Sequence, residues 1–115
     1  MIKRNGSYPT DNIEKMRGGD GVATIEHLLA PDELYGKGRL FAAITLPPGA
    51  SIGSHVHDGE MEAFYVLDGT AEYGDGIETA TLLPGDTTLT LSGEGHTVRT
   101  VGDAPLKLLA LILFK

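Results

Sequence analysis

From Val22 to Phe114 the apolar residues come in short runs, many alternating with polar ones, and each run is closed by glycine, proline or aspartate. Alternation with period two marks a strand with one buried face, and β-branched and aromatic residues are frequent in these runs. The pattern predicts strands over Val22–Leu29, Arg39–Leu46, Ser51–His57, Glu62–Leu67, Thr70–Tyr73, Ile77–Leu82, Asp86–Leu91, His96–Val101 and Leu106–Phe114. Turn signals stand between them, among them Pro47-Pro48-Gly49, Asp68-Gly69, Pro84-Gly85-Asp86 and the tight hairpin candidate Asp75-Gly76. Eight or nine short strands with almost no helix describe an all-β fold, a jelly-roll barrel.

The first 21 residues do not share this pattern. They are polar and glycine-rich, with Met16-Arg17-Gly18-Gly19-Asp20-Gly21 as a loop preceded at most by a short helical turn. Residues 1–21 therefore read as an N-terminal arm over the barrel or over a partner subunit, and residues 22–115 as one barrel domain. A chain of 115 residues supports one core, and association with a second copy would help stabilise it.

Charge narrows the partners. The formal net charge of -7 argues against nucleic-acid backbones and anionic membrane surfaces, which call for clustered lysine and arginine. The longest apolar stretch, Leu106 to Phe114, is too short to cross a bilayer. With no cysteine there is no disulfide or thiolate chemistry, and with no apolar leader the expected location is the cytoplasm.

Three of the four histidines fall in two short segments, at His55, His57 and His96. A His-x-His pair on an extended strand puts both rings on one face. The tetrad Asp58-Gly59-Glu60-Met61 can then turn the chain, so that a hairpin brings Glu62 back beside them. Imidazole nitrogen with carboxylate oxygen suits one divalent first-row ion, Mn, Fe, Ni, Co or Zn. His27 has no partner motif and reads as an ordinary strand residue.

The string Gly49, five residues, His55-Val56-His57, four residues, Glu62, six residues, Gly69 resembles the first motif of the cupin superfamily, G-x5-H-x-H-x(3,4)-E-x6-G, at every defined position. The second cupin motif, G-x5-P-x-G-x2-H-x3-N, is matched by Gly85, Gly93 and His96. It departs at Leu91 and Thr100, where the family has proline and asparagine, and neither position is a ligand in the family. The resemblance implies a small single-domain bacterial cupin of the double-stranded β-helix fold, with His55, His57, Glu62 and His96 holding the metal. Relatives of this kind commonly pair, so a homodimer is expected.

Alternation assigns faces within such a barrel. If the four ligands point inward, so do Phe64, Val66, Val98 and Thr100, giving a small, largely apolar pocket. Phe41, Ala43 and Thr45 join them if their strand keeps the same parity. As candidate catalytic residues the pattern offers Glu60 and Arg39. Glu60 at the pocket mouth is a second acceptor for a ligating imidazole or an acid/base group, against the plainer role of a solvated turn carboxylate, which exposure of carboxylates in general favours. Arg39 is placed to meet a substrate carboxylate, while Arg99 points away from His96.

Two functions remain open at this level. Three histidines and a glutamate leave positions on a six-coordinate ion for a small oxygenated acid or sugar-like molecule, and the metal-dependent chemistries are isomerase, dioxygenase or decarboxylase. Similarity to oxalate-binding and auxin-binding relatives makes oxalate the leading ligand. The alternative is a non-catalytic ligand-binding or sensory module.

Overall fold

The computed structural model describes all residues, Met1–Lys115, as two antiparallel sheets packed face to face. The strands are β1 (Thr10–Glu14), β2 (Val22–Leu29), β3 (Gly38–Leu46), β4 (Ser51–Val56), β5 (Glu60–Asp68), β6 (Thr70–Gly74), β7 (Thr79–Leu82), β8 (Thr87–Thr90), β9 (Gly95–Val101) and β10 (Leu106–Phe114). The larger sheet runs β1-β2-β3-β10-β5-β8 and the smaller β4-β9-β6-β7. The barrel is all-β, as the alternating pattern demands.

Each sheet turns its apolar face to the other. Ile25, Ala42, Ile44, Phe64, Val66, Leu108 and Ala110 from the larger sheet meet Ile52, Ala71, Leu82 and Val98 from the smaller in one cluster. Burial alternates along β5 and β9 with the expected parity, so that Glu62, Phe64, Val66, His96, Val98 and Thr100 all point inward. The parity of β3 is the reverse of the one entertained above. Leu40, Ala42, Ile44 and Leu46 carry its inner face, opposite Ile112, Ala110, Leu108 and Leu106 of β10. That register puts the bulky Ile44 in the core and leaves Phe41 and Thr45 only half-buried on the outer face.

Three further elements differ from the sequence pattern. The N-terminal segment, expected as an arm over the barrel or a partner subunit, contributes a strand that the pattern did not show: β1 pairs antiparallel with β2, from Thr10↔Glu26 to Glu14↔Val22. A 3-10 turn over Met16–Gly18 follows and lies against β4. The β4–β5 connection is not a hairpin, because the two strands belong to different sheets. After Asp75 the chain enters β7 late, since the Asp75 carboxylate accepts the backbone N–H groups of Ile77 and Glu78 and holds both in the turn.

At Thr100 the hydroxyl donates to the Leu46 carbonyl at 2.9 Å, a buried hydrogen bond that ties β9 to β3 across the sheet interface. Leu91 is about half exposed in the turn after β8.

Candidate metal centre

The four residues of the motif come from both sheets and converge between them. His55 on β4 faces His96 on β9 in register. His57 stands just beyond β4, where its backbone N–H donates to the Glu94 carbonyl and its own carbonyl accepts from Gly93. Glu62 arrives from the larger sheet, in register with Thr90 of β8. His57, Glu62 and His96 are buried and His55 is partly so.

What suits this cluster to a metal is the direction of the rings. Each Nδ1 is engaged by a partner outside the cluster. His55 Nδ1 donates to the Gly53 carbonyl at 2.8 Å and His57 Nδ1 to Glu60 Oε1 at 3.0 Å, while His96 Nδ1 is hydrogen-bonded to Thr90 Oγ1 at 3.0 Å. The Thr90 hydroxyl is in turn hydrogen-bonded to Tyr73 at 2.9 Å. With the three Nδ1 atoms so engaged, all three Nε2 atoms are turned toward one another and toward Glu62.

The resulting separations are short. His96 Nε2 lies 3.0 Å from His55 Nε2 and 3.2 Å from His57 Nε2, and Glu62 Oε1 lies 3.0 Å from His57 Nε2. It is also 3.0 Å from His96 Nε2. Lone pairs at this distance repel unless a cation sits among them. Donors about 2.1 Å from a six-coordinate ion lie about 3.0 Å apart along each edge, close to the spacing of these four pairs, and all four donors lie within 4.8 Å of one another. The residues fit a divalent metal.

The ring planes are fixed by packing as well as by hydrogen bonds. Phe64 stacks on His96 with centroids 5.1 Å apart and planes 4° from parallel, and Tyr73 meets the same ring edge-on at 5.9 Å. Burial is the chief cause holding His55 below the ordinary imidazole range; the Gly53 carbonyl opposes it, while the neighbouring rings and the charge of Arg17 add to it.

Glu60 is not a solvated turn carboxylate. Its side chain is only 12% exposed, and Arg39 grips it with two hydrogen bonds, Nε to Oε2 at 2.7 Å and Nη2 to Oε1 at 2.8 Å. These, with the His57 contact, pull its pKa down to about 2 against the cost of burial. A carboxyl held this low is ionised at neutral pH and is no general acid there. The folded-state pKa is depressed, so the ion pair favours folding above the ordinary carboxylate range and loses that contribution as pH falls toward 2. Arg39, occupied by Glu60, is not a free anchor for a substrate carboxylate.

Beside the ligands opens a cavity of about 190 Å³, lined by His55, His57, Glu62, Phe64 and Arg39 together with Leu40, Ile44, Ile52 and Ile112. Val66 and Val98 are buried in the core and do not reach it, and neither does Phe41. The rest of its lining comes from the N-terminal third of the chain: Asp11, Ile13, Met16, Arg17, Ile25 and His27. Eight of the fifteen lining residues are hydrophobic, and the cavity is small and largely apolar, as the parity argument implied. His27, read above as an ordinary strand residue, shares the inward parity of Ala23 and Ile25, and its Nε2 lies 2.8 Å from Asp11 Oδ2. That parity was the one available signal for it. Arg99 pairs with Asp20 at the surface.

Residues 42–112 match the family model for the cupin domain. The chain is a cupin. An oxalate-binding protein of Thermotoga maritima is 38% identical to this cupin over 113 residues, covering 98% of the chain and 93% of the relative. A crystal structure from the same organism, described as a predicted oxalate decarboxylase, is 37% identical and superposes with a TM-score of 0.96 over 100% of both chains. The cupin domain of Schizosaccharomyces pombe Cnp3 shares the fold at 11% identity, with a TM-score of 0.73 over 91% of this chain and 69% of that one.

Proposed function

We propose that this cupin holds one divalent transition metal through His55, His57, Glu62 and His96, and that the metal binds a small chelating acid of the oxalate type in the adjoining cavity. The observation that carries the reading is the convergence of three Nε2 atoms and one carboxylate while every Nδ1 is engaged elsewhere. The oxalate-binding relative supports the ligand class. Bound there, the metal supplies a Lewis acid with positions free for two acid oxygens. The cavity's small volume and its branched apolar side chains exclude larger ligands. Glu60 is held as a carboxylate by Arg39 and is no general acid near neutrality. Elemental analysis of protein purified without chelator, followed by oxalate calorimetry on the metal-loaded and metal-free forms, tests the proposal. Equal binding with and without metal would leave the ion a structural role only, and consumption of oxalate in air would make the protein an enzyme.

Loading should depend on pH. Ligation requires neutral imidazoles, and burial keeps His55 neutral to lower pH than a free imidazole. Metal content should therefore persist at pH 7 and fall on acidification, with the midpoint below about 6.5. Constant content down to pH 4 or so would point to other ligands. The Glu60→Gln variant, which no longer takes the His57 proton as a carboxylate, should bind metal about 10- to 100-fold more weakly in a competitive chelator titration.

The outer face of the larger sheet supports a homodimer. Leu109, Leu111 and Leu113 of β10 lie beside Ala43, Phe41, Tyr65 and Ala63 in register, and Leu67 and Leu89 are exposed nearby. A second copy of the same face would cover this apolar surface. Light scattering at micromolar concentration should give twice the chain mass, and a monomer mass would contradict the assignment.

A further inference from the structure

Arg17 lines the cavity together with His55, His57 and Glu62. Its backbone stands at φ 55° and ψ 30°, and Lys15, two residues earlier, has φ 49°. Left-handed backbone at a residue with a side chain is costly and persists only where its surroundings over-determine it. Here they do. Gly18 N–H donates to the Lys15 carbonyl at 2.9 Å, Gly19 N–H to that of Met16 at 3.0 Å, and Lys15 N–H to that of Gly21 at 2.8 Å. The turn is also pressed onto β4: a Cβ built on Gly53 would stand 2.1 Å from the Arg17 carbonyl oxygen, and one on Gly19 2.2 Å from that of Ser51. The root of the Arg17 side chain is fixed at the cavity.

Its guanidinium is also uncommitted. Arg39 is taken by Glu60 and Arg99 by Asp20, whereas Arg17 has neither an ion pair nor a side-chain hydrogen bond. Its charge is close enough to contribute to the depression of His55, after burial and the neighbouring rings. We infer that Arg17 is the anion-recognition residue of the cavity, pairing with the part of a small dianion that the metal leaves unneutralised. Charge supports the choice. A divalent ion and Glu62 leave one positive charge, a dianion turns that into one negative, and an arginine restores neutrality where desolvated charge is costly. Asp11, the other acidic residue of that wall, is paired with His27 and so leaves Arg17 free. The overall charge of -7 makes a local cation necessary for any dianion.

This assignment rests on the proposed metal-dependent acid binding and names the residue that selects the dianion. Oxalate and, separately, acetate are titrated by calorimetry into manganese(II)-loaded wild-type protein and into the Arg17→Gln and Arg17→Gly variants. Glycine accepts a positive φ without strain, so at least one variant keeps the fold. Oxalate affinity should fall about 10- to 100-fold in both, while acetate affinity changes less than about threefold and the manganese stoichiometry stays as in wild type. Oxalate affinity within about twofold of wild type in the two variants, at full metal loading, would overturn the role of Arg17 and leave the metal-acid reading intact. Failure of metal-loaded wild-type protein to bind oxalate would overturn both.

Discussion

Glu62→Ala protein is expected to lose at least about 100-fold in affinity for divalent metal and to leave gel filtration with far less than one ion per chain. Glu62 is the one anionic donor of the set and the one contributed by the larger sheet. The histidines all lie on β4, just beyond it, or on β9, within or beside the smaller sheet. Removing the carboxylate leaves three neutral donors and opens one side of the site. Glu62→Gln keeps the shape without the charge and should fall between the two. Because oxalate binding is proposed to go through the metal, it should disappear with it. Elemental analysis beside calorimetry reads both, and full metal occupancy in Glu62→Ala would remove the site as described.

Phe64→Ala should destabilise the metal-free protein by about 3–5 kcal/mol, the usual cost of emptying a large buried aromatic position. Phe64 is 2% exposed, packs in the shared cluster of both sheets, and stacks on the His96 ring. For a chain of this size that corresponds to a fall in melting temperature on the order of 10–20 °C. Metal affinity should drop as well, because the ring that keeps His96 aligned is gone. Thermal unfolding in the presence of chelator isolates the packing contribution, and a loss below about 1 kcal/mol would show that the core closes over the gap.

Much of this was legible in the chain. β2 and β10 run between the residues at which their alternation starts and stops, because one face of each is buried and the pattern records that directly. β1 was not legible, since Thr-Asp-Asn-Ile-Glu is exposed at four of its five positions and shows a single apolar residue, Ile13, to mark a buried face. The parity of β3 was ambiguous because Leu40, Phe41, Ala42, Ala43 and Ile44 are all apolar, and only the register against β10 chooses between them. The four converging side chains follow from motif spacing. Their Nδ1 partners follow less well: Glu60 is a chemically marked residue, but a Gly53 carbonyl and a Thr90 hydroxyl leave no trace in a pattern. Asp11 and Arg17 were out of reach because their place in the cavity depends on β1 pairing and on two glycine backbones meeting, whereas His27 was marked only by sharing the parity of Ala23 and Ile25.

The position of β10 between β3 and β5 bears on how the protein is made. Glu62 lies on a strand whose neighbour on one side is Leu106–Phe114, at the far end of the chain. During synthesis, β5 must wait for β10 to leave the ribosome before its ladder is complete. The smaller sheet, by contrast, needs nothing beyond Val101. The carboxylate side of the cluster therefore depends on the last strand of the chain, whereas the three imidazoles are carried by segments that end at Val101.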